Sequence, residues 1–175
     1  NRSVVELIKS QFNTYEVIHC NDWHTGLVTH ILEDELSLER PATLITIHNL
    51  SYQGIGDGTL VSKVGIEEGT HQLIDWDLSD DAKVNLLLQG ITSADFISTV
   101  SPSYAKEILY KDIGGPLSEI LQDRSGRIKG ILNGIDYEQF PRNYDVSDWK
   151  KSKAAQKQAL QEKLKLNKED VPIFC

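Results

Sequence analysis

Apolar residues along the chain follow two spacings, one typical of amphipathic helices and one typical of buried strands. Helical spacing is found at 4–12, 27–36 and 83–94. Short runs rich in β-branched residues lie between these segments, at 15–20, 42–47, 96–100 and 128–132. Because predicted strands alternate with predicted helices, the pattern indicates an α/β fold built on a parallel sheet.

Polar residues and proline mark where several of these elements begin. Asp22 is placed to cap the helix at 27–36. Ser101 and Pro102 predict a further helix, with a serine N-cap and proline at the first helical position. The glycine-rich segment from Tyr52 to about Gly69 fits neither spacing, and it predicts a long surface excursion with one hairpin.

The composition of the chain changes after Pro141. Residues 145–166 are rich in Lys and Gln, which predicts a solvated helix that connects two parts of a protein. The apolar run Val171–Cys175 predicts the start of another strand. Because the chain has no Met and begins at Asn1, we expect both ends to lie within a longer protein.

Composition narrows the classes of partner. The chain has 175 residues, of which 39% are hydrophobic, enough for one buried core. Its 18 basic and 26 acidic residues give a net charge of −8, so nucleic acid is not an expected partner. No apolar run approaches the roughly 18 residues that a membrane span needs, so no membrane partner is expected either. Cys20 and Cys175 lack the spacing of a zinc site or a disulfide framework, which favours a reducing cytoplasm. The favoured interpretation of Cys20 is a buried, inert thiol.

Polar segments follow four of the predicted strands, and the ligands of parallel α/β sheets gather at the carboxyl ends of strands. These segments are 19–24, 48–53, 101–104 and 133–136. Histidines, amides and a tryptophan beside one another are typical of a site for a sugar or another polar ligand. The sequence has no G-x-S-x-G, P-loop or G-x-G-x-x-G motif, which disfavours serine hydrolases, P-loop enzymes and the common dinucleotide-binding fold.

Each polar segment also has a purely structural interpretation. For His19, a core histidine bonded to the backbone is favoured, whereas for His24 ligand binding is favoured. His48 and Asn49 could contact a ligand or tie their loop to the sheet, and the two alternatives are about even. Capping accounts for Ser101, so a structural role is favoured, and the alternative is an anion site at the exposed helix N-terminus. No metal site is predicted, because His19 and His24 are five residues apart and no third ligand is implied.

Taken together and in order, the four polar segments resemble those of bacterial glycogen synthase and plant starch synthase. The blocks that carry the resemblance are HCNDWHTGL (19–27), TIHNLSYQG (46–54), TVSPSYAKE (99–107) and GILNGID (130–136). The resemblance extends from about Tyr15 to Cys175 and is weakest between Gly56 and Asp81. Four long blocks in register argue against a chance match.

The resemblance implies a glycosyltransferase of the GT-B type, in which two Rossmann-like domains face each other across a cleft. Residues 1–145 would then be the later part of the N-terminal domain with its parallel sheet. Residues 146–168 would form the interdomain helix. Residues 169–175 would open the C-terminal, nucleotide-binding domain with its first strand.

The same resemblance implies transfer of glucose from ADP-glucose to the non-reducing end of an α-1,4-glucan, with retention of configuration. ADP-glucose and the glucan, glycogen or starch, are the implied partners, and neither a metal nor another cofactor is needed. His24 matches the family's active-site histidine, whose role would be electrostatic rather than nucleophilic. Asn133 and Asp22 are implied to contact the donor sugar. Further residues are implied to line the site, namely Asn49, Gln53, Ser101 and Tyr104.

Departures from the family pattern bear on the expected activity. The Lys-x-Gly-Gly loop that grips the donor diphosphate is not in this sequence, and neither are the Arg, Lys and Glu of the second domain. The 175-residue chain alone is therefore predicted to be inactive. Gly114–Leu117 contains a proline that this loop of the family usually lacks.

Two alternative functions stay open. One is a GT-B transferase that uses a UDP-sugar, and the other is a glucan-binding remnant without catalysis. A bacterial cytoplasm is the favoured location, with a plastid as the alternative.

Overall fold

The computed structural model describes residues 1–11, 14–57, 59–66, 83–141 and 145–174. The chain divides into two compact units, Asn1–Asn133 and Gly134–Cys175. The strands of the first unit are β1 (Val17–Asn21), β2 (Ala42–Ile47), β3 (Ile55–Asp57), β4 (Lys83–Asn85), β5 (Phe96–Thr99) and β6 (Ile128–Gly130). Its helices are α1 (Arg2–Ser10), α2 (Gly26–Leu36), α3 (Thr59–Ser62), α4 (Leu86–Ser93), α5 (Tyr104–Glu107), α6 (Lys111–Gly114) and α7 (Ser118–Asp123). The second unit contains α8 (Trp149–Lys163).

A parallel sheet of four strands, in the order β1-β2-β5-β6, forms the centre of the first unit. Cys20 lies beside Ile45 in the register, and Ile45 lies beside Ile97. All three side chains are almost completely buried. Because side chains alternate along a strand, this row marks the face of the sheet that points into the core. β3 and β4 form a separate antiparallel pair.

The core lies where α2 and α4 pack together and against the sheet. Leu27 and Ile31 of α2 and Leu87 of α4 are fully buried there. Two glycines allow these helices to approach closely: a Cβ atom added to Gly26 would lie 2.1 Å from the carbonyl oxygen of Leu86, and one added to Gly90 would lie 2.8 Å from Cα of Gly26. The helix contact therefore depends on the absence of side chains at both positions.

Most elements predicted from the spacing of apolar residues are present. The helices expected at 4–12, 27–36 and 145–166 are α1, α2 and α8. The four expected strands are β1, β2, β5 and β6. No helix within the described ranges is long and apolar enough to cross a membrane. The prediction of an α/β fold with a parallel sheet is confirmed.

The helix predicted at 83–94 begins later than its apolar spacing indicates. Residues 83–85 form β4, which pairs with β3, and the helix starts at Leu86. Asn85 caps this helix, because its side-chain oxygen accepts the backbone N–H of Leu88 at 3.0 Å. The pairing partner of β4 lies 28 residues earlier along the chain, at Ile55–Asp57, and a local spacing rule cannot detect it.

The structure differs from three further predictions about helices and strands. The helix expected to follow Ser101 is only α5, although the Oγ atom of Ser101 does accept the N–H of Tyr104 at 3.3 Å, as a cap should. The hairpin expected within 52–69 is wrong, because β3 pairs with β4; residues 58 and 67–69 lie outside the described part. Residues 171–174 form no strand. A strand requires a hydrogen-bonded neighbour, and none lies beside these residues within the described ranges.

An ion pair joins the amino ends of β2 and β5. The guanidinium of Arg40 donates two hydrogen bonds to Asp95, at 2.6 and 2.9 Å. Asp95 also accepts the N–H of Thr43 at 2.7 Å. The hydrogen bond from Arg40 lowers the pKa of Asp95 far below its usual range; burial opposes this shift, and the N–H of Thr43 adds to it. The charged carboxylate is thus an integral part of this end of the sheet.

We expect Asp95→Ala to lower the free energy of unfolding by about 2 kcal/mol at pH 7, because charge-assisted hydrogen bonds are lost. The stabilisation by Asp95 is complete above the unfolded-state pKa of about 3.9, and it falls as the pH drops towards the depressed folded-state pKa. The difference between wild type and variant should therefore narrow below about pH 4. Urea unfolding at pH 7 and pH 3 measures both values. Asp123→Ala, at an exposed carboxylate, is the control; equal stabilities of wild type and Asp95→Ala at pH 7 would contradict the prediction.

Candidate functional site

The predicted site residues gather at one edge of the parallel sheet, where all four strands end. Asp22 and His24 follow β1, and Asn49 and Gln53 follow β2. The residues after β5 and β6 are Ser101, Tyr104 and Asn133. Parallel strands place their carboxyl ends together, so these turns form one surface.

Asp22 fastens the turn after β1 to the end of β2. Its Oδ1 atom accepts the N–H of His48 at 2.8 Å, and its own N–H donates to the carbonyl of Thr46 at 2.9 Å. The backbone of Asp22 has φ of 53°, a left-handed conformation that is strained for a residue with a side chain. Its side chain makes no capping bond to the helical turn that follows, so the expected cap of the 27–36 helix is wrong. The carboxylate is instead used between strands.

His24 lies in a short 3-10 helix, Trp23–Thr25, which leads directly into α2. Its side chain is exposed, and its imidazole stacks on the indole of Trp23 with ring centroids 3.8 Å apart and planes at 27°. The carbonyl oxygen of His24 accepts a hydrogen bond from the side-chain amide of Asn1 at 3.0 Å. The imidazole is therefore held on one side and open to solvent elsewhere.

The other two histidines of this edge are engaged with neighbouring strands. Nε2 of His19 lies 2.6 Å from the hydroxyl of Thr46, which lies 2.6 Å from the hydroxyl of Ser98. This network crosses β1, β2 and β5, and His19 is exposed, so the expectation of a core histidine bonded to the backbone is wrong. Nε2 of His48 lies 3.0 Å from Oδ1 of Asn21. This contact ties the His48 loop to the sheet, while the exposed His48 side chain also lines a recess of this edge, so ligand contact by His48 stays a prediction.

The loop after β2 is fixed by hydrogen bonds from the predicted site-lining residues. The amide oxygen of Gln53 accepts a bond from the side chain of Asn85 at 2.7 Å. The hydroxyl of Tyr104 accepts the N–H of Leu50 at 3.1 Å. Oδ1 of Asn49 accepts the N–H of Ser51 at 3.0 Å, which closes a local turn. Gln53 and Tyr104 thus anchor the loop, while the Asn49 side chain stays exposed.

Two adjoining recesses lie along this edge and share Ser51. The first has a volume of about 590 Å³, and the residues that line it are His48, Asn49, Leu50, Ser51, Val100, Ser101, Tyr104, Asp112 and Ile113. The second has a volume of about 570 Å³, and the residues that line it are Trp23, Ser51, Tyr52, Gln53, Gly54, Ile55 and Pro116. Neither set contains a lysine or an arginine. The recesses combine hydroxyl and amide groups with apolar surface, which suits a neutral polar ligand.

The structure brings only some of the predicted site residues into these recesses. Asn49, Ser101 and Tyr104 line the first recess and Gln53 lines the second, whereas Asp22, His24 and Asn133 line neither. Asn133 is exposed three residues beyond β6. Sequence reasoning missed the wall formed by Asp112, Ile113 and Pro116. The only signal there was the unusual proline in Gly114–Leu117, since no strand ends in this segment.

Cys20 lies beneath this edge and is 2% exposed. Burial raises the pKa of its thiol to about 11, although a hydrogen bond with Thr25 opposes the shift. The thiol is buried as predicted, and its raised pKa disfavours the thiolate, which is the reactive form. Among the described residues, no group of His, Cys, Asp and Glu side chains is arranged to hold a metal ion. Cys175 lies outside the described part.

Comparisons with known proteins place this surface in context. A family model described as the starch synthase catalytic domain matches residues 1–123. The glycogen synthase of Fervidobacterium nodosum is 39% identical over 184 residues, which cover 98% of this chain and 37% of that protein. The glycogen synthase of Thermodesulfovibrio yellowstonii is 43% identical over 142 residues, which cover 78% of this chain and 28% of that protein. The chain therefore spans less than two fifths of the length of these relatives.

A solved structure agrees with the sequence relatives. The catalytic domain of starch synthase IV from Arabidopsis thaliana, bound to ADP and acarbose, superposes with a TM-score of 0.76 and 27% identity. The match covers 97% of this chain and 37% of that one. The fold class and the resemblance predicted from the polar segments are both confirmed. The chain belongs to the family of starch synthase catalytic domains.

Proposed function

We propose that this chain is part of an enzyme that transfers glucose from ADP-glucose to the non-reducing end of an α-1,4-glucan, with retention of configuration. The observation that carries the proposal is the polar sheet edge, where the exposed His24 follows Trp23 of the second recess and neither recess is lined by Lys or Arg. The glycogen synthases among its relatives and a starch synthase bound to ADP and acarbose support this reaction. A bacterial cytoplasm is the proposed location.

In this proposal His24 stabilises charge in the transition state and does not act as a nucleophile. Cleavage of the bond between glucose and diphosphate develops positive charge on the sugar ring in the transition state, as in glycoside hydrolysis. A polar group that is already oriented beside the ring stabilises that charge without further reorganisation. The proposed site at His24 meets this requirement, because its imidazole is stacked on Trp23 and its carbonyl is bonded to Asn1. Asn133 and Asp22 are proposed to hydrogen-bond the donor sugar.

The two recesses are proposed to accept the glucan. A glucan is uncharged and offers hydroxyl groups together with apolar C–H faces. The hydroxyls of Ser101 and Tyr104 and the half-exposed aliphatic side chains of Ile55 and Ile113 match both features. Lys and Arg are common ligands of a diphosphate, and neither set of lining residues contains one. We therefore propose that the groups that bind the ADP moiety lie outside these 175 residues.

The test is glucose transfer from labelled ADP-glucose to glycogen by the protein of the complete reading frame, with UDP-glucose measured beside it. We expect transfer from ADP-glucose to exceed transfer from UDP-glucose by at least about tenfold, a discrimination of about 1.4 kcal/mol. We expect no transfer by the isolated 175-residue chain.

Other outcomes of this assay would contradict the proposal in distinct ways. Preference for UDP-glucose would indicate a different GT-B transferase. No transfer from either donor by a folded protein that still binds maltoheptaose would indicate a glucan-binding remnant. Turnover by the 175-residue chain alone would refute the proposal that groups essential for donor binding lie elsewhere.

A further inference from the structure

Asn133 is the only asparagine of the sequence that is followed by a glycine, Gly134. Both residues are exposed, and they lie beyond the end of β6 in a segment, 131–136, that forms neither helix nor strand. Within the described ranges, neither the side-chain amide of Asn133 nor the N–H of Gly134 has a hydrogen-bond partner. The side chain and the backbone that follows it are therefore free to rotate towards each other.

The other asparagines that the structure describes lack this combination. Each is followed by a residue with a side chain, which crowds the next backbone nitrogen. Asn85, for example, is fully buried and its amide oxygen accepts the N–H of Leu88 at 3.0 Å. The side chains of all of them have a hydrogen-bond partner; these residues are Asn1, Asn21, Asn49, Asn85 and Asn167.

The open amide and the following backbone nitrogen can react with each other. When the nitrogen of Gly134 loses its proton, it attacks Cγ of Asn133 and closes a succinimide ring. The bond between Cγ and the amide nitrogen breaks, and that nitrogen leaves as ammonia with the proton that Gly134 gave up. Water then opens the ring at one of its two carbonyl groups, which yields aspartate in one case and isoaspartate in the other. Water is the only co-reactant.

We propose that Asn133 is a site of spontaneous deamidation in this protein, with Gly134 as the attacking residue. Glycine favours the attack because it has no Cβ atom beside its nitrogen. The consequence for activity rests on the proposed function, in which the Asn133 amide contacts the donor sugar. An amide both donates and accepts hydrogen bonds, whereas a carboxylate only accepts them. Deamidation thus removes a donor-sugar contact as the protein ages.

The first test follows the protein of the complete reading frame during incubation at mildly alkaline pH. Peptide mass spectrometry measures the acid formed at each asparagine, because amide, succinimide and acid differ in mass. We expect acid to form at Asn133 at least about tenfold faster than at any other asparagine of these 175 residues.

Gly134→Ala is the matched variant for this test. A Cβ atom at Gly134 would meet no heavy atom within 4 Å, and Gly134 does not have a left-handed backbone conformation, so the fold should tolerate alanine. The same Cβ atom crowds the attacking nitrogen, and we expect it to slow acid formation at Asn133 at least about tenfold. Melting temperatures establish that both proteins are folded during the incubation.

A second test measures glucose transfer from ADP-glucose during the same incubation, relative to the starting rate of each protein. We expect the rate to fall in step with the loss of the Asn133 amide in wild type and to persist longer in Gly134→Ala. Asn133→Asp imitates one product and should lower kcat/KM for ADP-glucose at least about tenfold, the cost of about one lost hydrogen bond.

The outcomes separate the two proposals. Acid that forms at Asn133 no faster than at the other asparagines, or equally fast in Gly134→Ala, would overturn the deamidation site. Rapid deamidation in a wild-type protein without transferase activity would contradict the proposed function and support the deamidation site. Full activity of the deamidated protein or of Asn133→Asp would contradict only the contact between Asn133 and the donor sugar.

Discussion

Replacing His24 with alanine is expected to lower kcat for glucose transfer by about 100- to 1,000-fold in the protein of the complete reading frame, the usual cost of removing one group that stabilises charge in a transition state. The imidazole is exposed at the sheet edge and lies outside both recesses. Its loss should therefore leave glucan binding intact and change KM for ADP-glucose by less than about threefold. Initial rates over a range of ADP-glucose concentrations separate the two constants.

His19→Ala is the matched control for this prediction. His19 is another exposed histidine of the same edge, and its partner is Thr46 within the sheet. We expect its kcat to stay within about threefold of wild type, because it has no proposed contact with the donor. A His24→Ala protein that keeps a tenth or more of its activity, or that loses activity only through KM, would refute the electrostatic role.

The second large effect concerns Gly26, where a single methyl group should destabilise the first unit. In Gly26→Ala the new Cβ atom would be 2.1 Å from the carbonyl oxygen of Leu86 and 2.9 Å from its carbon. Both atoms belong to the backbone, so the clash can be relieved only by moving α2 away from α4. We expect the free energy of unfolding to fall by about 3 kcal/mol or more, at the upper end of the usual cost of overpacking.

Gly126→Ala is the control for Gly26→Ala. A Cβ atom at Gly126 would meet no heavy atom within 4 Å, so we expect a change within about 0.5 kcal/mol. Chemical unfolding of both variants, followed by far-UV circular dichroism, measures the difference. Equal stabilities of Gly26→Ala and Gly126→Ala would show that the two helices can separate at little cost, contrary to the packing described here.

Much of the fold follows from local sequence patterns, because the strands of its main sheet each have an apolar run of their own and follow the chain order β1, β2, β5, β6. β2, with Ala42–Ile47, is a continuous β-branched and apolar run, and such runs are typical of central parallel strands. β4 was missed because Lys83–Asn85 has no pattern of its own and becomes a strand only by pairing with Ile55–Asp57. Residues 171–174 form no strand in the structure, because apolar residues alone do not supply a pairing partner, and their place in a further domain stays a prediction.

The candidate site was predictable in outline and not in its contacts. The rule that ligands gather at the carboxyl ends of strands located the turns that carry His24, Asn49 and Ser101. It could not show that Asp22 bonds the N–H of His48, because that contact joins residues 26 positions apart. It also could not find Asp112, which reaches the recess from a helix that follows no strand directly.

The two walls of the recesses differ in how readily evolution or protein engineering can change them. The wall after β2 is tied to the rest of the unit through backbone groups, such as the N–H of Leu50 bonded to Tyr104. The opposite wall presents the exposed side chains of Asp112, Ile113 and Pro116. Two glycines in that segment are constrained: a Cβ atom added to Gly114 would be 2.0 Å from the carbonyl of Ile108, and Gly115 has φ of 53°, which favours glycine. If the recesses accept the glucan as proposed, changes of acceptor preference should accumulate at 112, 113 and 116, where substitutions leave the framework of the sheet edge intact.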